Sequence, residues 1–297
     1  MPESINAHLA VMRSAFSTAC AAAKVPDGRV SASIASREAG CSVILQKGSE
    51  TMCFALIPCI NSGMAYYTIT STGTPPTDTV AAADIFTYDE ANKGGTGAER
   101  CDRFRVVSAA MRLSSINSAQ YNNGWFEAIR VQTDYIDADV DASAINNKTN
   151  FGTLNIAFEN NLMKSTRWCS HPSYVTGKLA DLYKHQFYLQ SQSDREFNRT
   201  AGANVSANYL GFDVNMDTVL VRVYAGSNVG TGSVKAAIHC HVVHHIEMNY
   251  DASSEKARYH SQCMSAPQLV AKVDASIKKD SKASIIRSPN SYGVNTY

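Results

Sequence analysis

The chain is divided into short runs of alternating or continuous apolar residues, each closed by Gly, Pro, Asn or Ser, and few carry helical spacing. Asp217 to Tyr224 (DTVLVRVY) reads as the clearest buried strand, and Ser233 to Tyr250 as the longest. Asp102 to Ser115 sets Phe104, Val106, Ser108, Ala110 and Leu113 near a period of two. Gly124 to Gln132 puts Trp125, Glu127, Ile129 and Val131 on one face, and an Asn- and Ser-rich turn separates these two runs. Shorter runs cover 29–36, 41–46, 51–58, 65–70 and 185–192, and Leu179 to Lys184 predicts one helical turn. The pattern contains no β-α-β alternation and no internal repeat of fixed period. Roughly eight to ten strands joined by loops of unequal length predict an antiparallel all-β sandwich or barrel, of which the jelly roll is one form.

The first residues are the exception. An amphipathic helix is expected at the N-terminus, capped by Ser4 or Asn6, with Leu9, Met12, Phe16, Cys20 and Ala23 on one face. This stretch lacks the basic start of a signal peptide. No apolar run approaches the roughly 20 residues that span a bilayer, so no membrane partner is expected. The organisation predicted is an arm over 1–28, a β domain over 29–250 with long loops at 133–170 and 193–216, and a tail over 251–297.

At 297 residues the chain buries a core without a metal or disulfide staple. Its 27 Lys+Arg and 26 Asp+Glu give a net charge of +1, and charged residues make up 18% against roughly 25% on average. That balance excludes a disordered polyelectrolyte and a uniformly basic nucleic-acid binder. Eight cysteines without a CxxC pair fit reduced, mostly buried thiols.

Three constellations could carry chemistry. In the run His239 to Glu247, alternation puts His239, His241, His245 and Glu247 on one side of a strand. Cys240, Val242, His244, Ile246 and Met248 fall on the core side. The first set is either a polar or packed outer face, or a transition-metal site. Asp134, Asp137, Asp139 and Asp141 form an acidic loop, read as a weak Ca²⁺ candidate or as a solvated loop. Residues 255–297 hold seven Lys or Arg against three Asp or Glu, a net of +4; residues 1–254 hold twenty against twenty-three. Lys272, Lys278, Lys279, Lys282 and Arg287 are the candidate nucleic-acid-facing residues in that tail. Phe104, Trp125, Val219 and Val221 are the expected anchors of the core strands.

The segment DRFRVVSAAMRLSSINSAQYNNGWFEAIRV resembles the paired strands of small icosahedral virus coat proteins. SYVTGKLADLYKHQFYLQSQSDREFN and the closing HCHVVHHIEMNYD resemble two further stretches of the same proteins. The likeness is strongest to bacilladnavirus capsid proteins, from single-stranded DNA viruses of diatoms, with nodavirus-like coats as the wider group. It implies a single jelly roll of two four-stranded sheets that self-assembles, without enzymatic activity, into an icosahedral shell. The implied partners are other copies of the chain, a genome of single-stranded DNA and a host surface receptor; the implied location is the virion, assembled in the infected cell. No cofactor is implied, beyond room for Ca²⁺ at subunit contacts. One departure stands out: residues 1–40 carry a net charge of only +1, where such coats often have an Arg-rich arm. Two other readings stay open on the residues: a lectin-like or attachment module using the Asp loop, and a cupin-like metalloprotein using His239, His241 and Glu247. Removing residues 271–297 is expected to affect packaging more than folding.

Overall fold

The computed structural model describes residues 3–18, 22–30, 32–47, 51–56, 58, 60, 62–72, 77–87, 101–118, 122–132, 174–190, 197–199, 213, 216–224, 234–279 and 286–287. Helix α1 (Glu3–Arg13) comes first, then strands β1 (Ala32–Lys47), β2 (Thr51–Leu56), β3 (Ser62–Thr72) and β4 (Thr77–Thr87). Next are β5 (Cys101–Ser115), β6 (Trp125–Gln132), β7 (Tyr174–Lys178), a 3-10 turn (Leu179–Lys184) and β8 (Gln186–Gln190). They are followed by β9 (Asn198–Arg199), β10 (Asp217–Tyr224) and β11 (Val234–Tyr250). A second 3-10 turn (Glu255–Tyr259), β12 (Ser261–Gln262), helix α2 (Pro267–Lys279) and β13 (Ile286–Arg287) end the described chain.

The strands form two antiparallel sheets. Sheet I runs β12-β1-β11-β5-β8-β13, with β9 on β5; sheet II runs β4-β3-β2-β10-β6-β7. The central four strands of each, β1-β11-β5-β8 against β2-β10-β6-β7, make the jelly roll. Between them lies one apolar core that includes Phe54, Phe104, Met111, Phe126, Phe187, Val219, Val221 and Ile246. Expected core-face residues of β11, namely Cys240, Val242, Ile246 and Met248, are all in it, and His244 is buried on the same face.

Differences from the sequence pattern have local causes. The two short runs at 29–36 and 41–46 are one strand, because β1 pairs with β11 from Ile34↔Met248 to Lys47↔Val234 and Gly40 sits opposite Val242 without a break. In β5 the alternation slips at Val107: Val106 faces Ile246 and Ser108 faces His245. This bulge turns Ala109, Met111 and Leu113 into the core and sends Val107 and Ala110 outward. Strands β4 and β7 and helix α2 leave no clear trace in the periodicity. Helix α1 stops at Arg13 and buries Ile5, His8, Val11 and Met12, so Phe16 lies beyond its end and the expected stripe through Leu9 and Phe16 is not a single helical face. Ser4 and Asn6 fall inside the helix and not at its cap.

Trp125 also needs correction as a core anchor. Phe126 is the residue of β6 that points inward, fully buried, whereas Trp125 is 45% exposed. Its ring stacks on Tyr224 of β10 at 4.1 Å between centroids. Phe126 in turn explains Gly177: a Cβ at Gly177 would come within 2.7 Å of the Phe126 ring. Among the cysteines, Cys53, Cys101 and Cys240 are buried free thiols as expected, but Cys41 is exposed. Burial raises the pKa of Cys240, which keeps it an inert thiol.

Phe126→Ala is expected to cost about 3–5 kcal/mol, as for a buried ring, and Trp125→Ala about 0.5–1.5 kcal/mol, the worth of one aromatic pair. Thermal melts of the two variants check the order; a larger loss at Trp125 would contradict the face assignment.

Candidate functional site

A third layer covers the outer face of sheet I. Ile5, Val11 and Met12 of α1 pack with Val270, Val273 and Ile277 of α2, with Ala23 and Val25, and with the outward-turned Val107. Further along the sheet, Ala15 and Phe16 pack on Ala110, Tyr188 and Val243. The N-terminal segment and helix α2 are therefore seated on one sheet face. At Gly28, φ is +76°, a conformation that favours glycine, and a side chain there would collide with Ser265. Alongside, the Ala266 N–H donates to the Pro26 carbonyl at 2.8 Å, joining the two terminal segments.

The layer is fixed by a buried ionic node. Arg105 of β5 and Glu247 of β11 are directly opposed across the strand pair, and each is 1% exposed. Arg105 Nε donates to Glu247 Oε2 at 2.9 Å, and Nη2 lies 2.8 Å from the same oxygen. Nη1 donates to Asp27 Oδ2 at 2.6 Å, and Nη2 donates to the Val25 carbonyl at 3.1 Å. Glu247 also accepts from the Val25 N–H at 3.0 Å and from the Ser33 hydroxyl at 2.6 Å. Burial by itself would lower the Arg105 pKa, but Glu247 and Asp27 outweigh it and hold it above the ordinary value. Next to the node, Lys24 Nζ donates to the Ser33 and Ser261 carbonyls at 2.5 and 2.6 Å, which ties the arm to β1 and β12.

The histidine run completes the seat. His245 Nε2 donates to the Ala15 carbonyl at 2.8 Å, and the His241 ring lies 4.8 Å from that of Phe16. Arg112 stacks over the Phe16 ring, 4.1 Å from its centroid, and the Tyr188 hydroxyl donates to the Met12 carbonyl. Burial lowers the pKa of both histidines. Arg112, His239 and Arg37 lower that of His241 further; for His245 the Ala15 hydrogen bond opposes burial and Arg37 adds to it. Within the outward set His241, His245 and Glu247 are thus packed, with Glu247 saturated by Arg105, Val25 and Ser33, and His239 lies beyond the layer, half-buried. Among the described residues no three His, Cys, Asp or Glu side chains are grouped to hold a metal, which removes the support for a His239–His241–Glu247 centre.

Other buried charges stabilise the sandwich. Arg222 of β10 pairs with Glu127 of β6 at 2.6 Å, and the Tyr224 hydroxyl donates to the same carboxylate at 2.8 Å. Arg130 reaches between the sheets and donates to the Tyr188 carbonyl at 2.8 Å. Asp213 accepts from the Val106 N–H at 2.8 Å, beside the β5 bulge. None of these was singled out from sequence, although a charged residue within an apolar strand run was the available signal. Of the candidate site residues, Phe104, Val219 and Val221 lie in the core. Lys272 is exposed on α2, Lys278 and Lys279 end that helix, and Arg287 pairs with Gln186 at the edge of sheet I. Asp134, Asp137, Asp139, Asp141 and Lys282 lie outside the described residues.

Removing one partner of a buried ion pair leaves the other uncompensated, so Glu247→Ala is expected to destabilise by about 3–5 kcal/mol. Hydrogen exchange should show residues 22–27 losing protection; retained protection there would contradict the role of the node. Because His241 and His245 have lowered folded pKa values, the unfolded chain takes up protons first as pH falls. Their stabilising contribution is complete above about pH 6.5 and is lost as pH drops through the folded values. The melting temperature should decline from about pH 7 to about pH 5, and His245→Gln should flatten that decline; a slope unchanged in the variant would count against it.

Comparison with known proteins agrees with this architecture. The family model for shotokuvirus capsid protein matches residues 3–209 and 197–285. The capsid protein of Chaetoceros diatodnavirus 1 is 26% identical, over 91% of this chain and 80% of its own length. That of Avon-Heathcote Estuary associated kieseladnavirus is 28% identical, over 87% and 82%. In fold, the chain is similar to the structure of infectious bursal disease virus Gt strain, with a TM-score of 0.55 and 9% identity over 95% of both chains. It is also similar to a subviral particle of infectious bursal disease virus, with a TM-score of 0.53 and 9% identity over 95% and 97%. With the family model covering nearly all of a jelly roll whose sequence motifs build its central node, the chain belongs to the shotokuvirus capsid protein family and is a structural, shell-forming component of the virion.

Proposed function

We propose that the shell built by this capsid protein encloses a single-stranded DNA genome, that the α1–α2 layer faces the particle interior, and that the chain acts by assembly alone, without catalysis. The observation carrying this reading is the separation of charge. Residues 255–297 have a net charge of +4 in a chain whose remainder, residues 1–254, has −3. Helix α2 buries Val270, Val273 and Ile277 and leaves Lys272 exposed, so its apolar stripe is used for docking while cationic positions stay available. Likeness to capsid proteins of diatom viruses supports DNA as the nucleic acid. Assembly takes place in the infected host cell, and a host surface receptor is assigned to residues within 133–170 and 193–216, most of which lie outside the described residues.

The burial of α2 changes how the tail is tested. A chain cut at residue 271 loses Val273 and Ile277 from the layer, so folding and packaging would fail together, contrary to the expectation from sequence. Charge substitution separates them. Lys278→Gln, Lys279→Gln and Lys282→Gln combined should leave the melting temperature unchanged and lower the nucleic-acid content of particles, read by absorbance. For single-stranded DNA, removing three phosphate contacts should reduce the slope of log affinity against log salt by about 2. Particles of unchanged content and salt dependence would refute the interior basic face.

A further inference from the structure

The terminal layer does not cover all of sheet I. It reaches along the outer face as far as Phe16, over His241. Beyond that point β1 alternates: Ala39, Cys41, Val43 and Leu45 are exposed, and the residues between them are more buried. Val43 is 50% exposed and Leu45 47%, and Ile116 at the end of β5 is 54% exposed. Val43 pairs with His239 and Leu45 with Ala237 on β11, and the Ile116 N–H donates to the Ala237 carbonyl at 3.0 Å. These residues therefore form one apolar strip on one corner of the sheet. The strip also borders an open edge: β12 pairs with β1 only at Ala32 and Ser33, and among the described residues no strand pairs with the free side of residues 34–47.

A long, straight, apolar edge strand is a template for pairing, and monomeric proteins protect such edges with charge, bulges or proline. Here residues 39–46 (AGCSVILQ) contain no charge and no proline, and the only register shift is at Gln46/Lys47. A nucleic acid would need a cluster of cations at this place, and residues 39–46 and Ile116 carry none. The chain forms shells, so copies must cover surface on one another, and such contacts are depleted of charge at their centres.

We infer that the free edge of β1, with Val43, Leu45 and Ile116, is an interface with a second copy of this chain. The inference rests on the shell-forming reading, and assembly of the unaltered chain is its control. Val43→Asp and Leu45→Asp, singly and together, place a carboxylate in the strip. Since both side chains are half exposed in the single subunit, its melting temperature should stay within a few degrees of wild type. The concentration needed for assembly, followed by sedimentation and negative-stain microscopy, should rise at least tenfold, or particles should be lost. The second measurement is hydrogen exchange on the unaltered chain, in which the amides of residues 39–47 should exchange at least tenfold more slowly in particles than in dissociated subunits. Particles forming at the wild-type concentration from the double variant would overturn the interface, as would equal exchange in the two states. Exchange at 39–47 that is slow in the dissociated subunit, and fast once the chain is cut after Lys279, would identify the chain's own C-terminal segment as the occupant and also overturn it. Failure of the unaltered chain to assemble under any condition would instead count against the shell reading.

Discussion

The pairing of Arg105 with Glu247 is the contact on which the outer layer depends. A buried ion pair is a weak source of stability in general, because taking both charges out of water costs nearly what their attraction returns. Here each charge has further partners. Glu247 accepts from Arg105, Val25 and Ser33, and Arg105 also holds Asp27 and the Val25 carbonyl. The node therefore joins β1, β5, β11 and the arm at one point. It fixes the register of the β5–β11 pair next to a bulge, where register would otherwise be least certain. It also gives the terminal layer directional contacts in addition to the apolar contacts around Val107.

The same principle recurs at the other buried charges of the sandwich. Arg105, Glu127, Arg130, Asp213, Asp217, Arg222 and Glu247 are all buried, so part of an already small set of charges is withdrawn from the surface. Charges are used inside the subunit, where hydrogen bonding makes them specific in geometry. What this leaves outside is weakly charged surface of the kind that subunit contacts use. A shell-forming protein needs several such surfaces per copy, and a neutral exterior suits that need better than a strongly charged one.

Much of the fold was legible because a half-buried strand records its environment with period two. Asp217–Tyr224 and the core face of β11 could be read directly, and so could the 3-10 turn at Leu179–Lys184. Alternation says which residues share a face but not which face is inner, so the pattern alone does not separate Trp125 from Phe126 as the inward ring. A bulge shifts the phase without changing the composition, which hid Ala109 and Met111. The residues that build the node were present in the quoted motifs, yet their meeting is set by the pairing of strands far apart in sequence. Helix α2 was hidden because its apolar face is a short stripe of Leu269, Val270, Val273 and Ile277, whose value lies in a layer formed with the N-terminal segment.

The pairing of β1 with β11 joins residues such as Val43 and His239 that are separated by most of the chain. Contacts of such long sequence separation close large loops and make folding slow. During synthesis, β1 emerges from the ribosome early and has neither neighbour until residues 234–250 have been made. The sheet edge that β1 presents, and the seat for α1, come into being only once residues 234–250 have been made. Synthesis of β11 thus sets the order of events: a nascent subunit that lacks β11 has no finished edge to offer another copy, and the ability to associate arrives together with that strand.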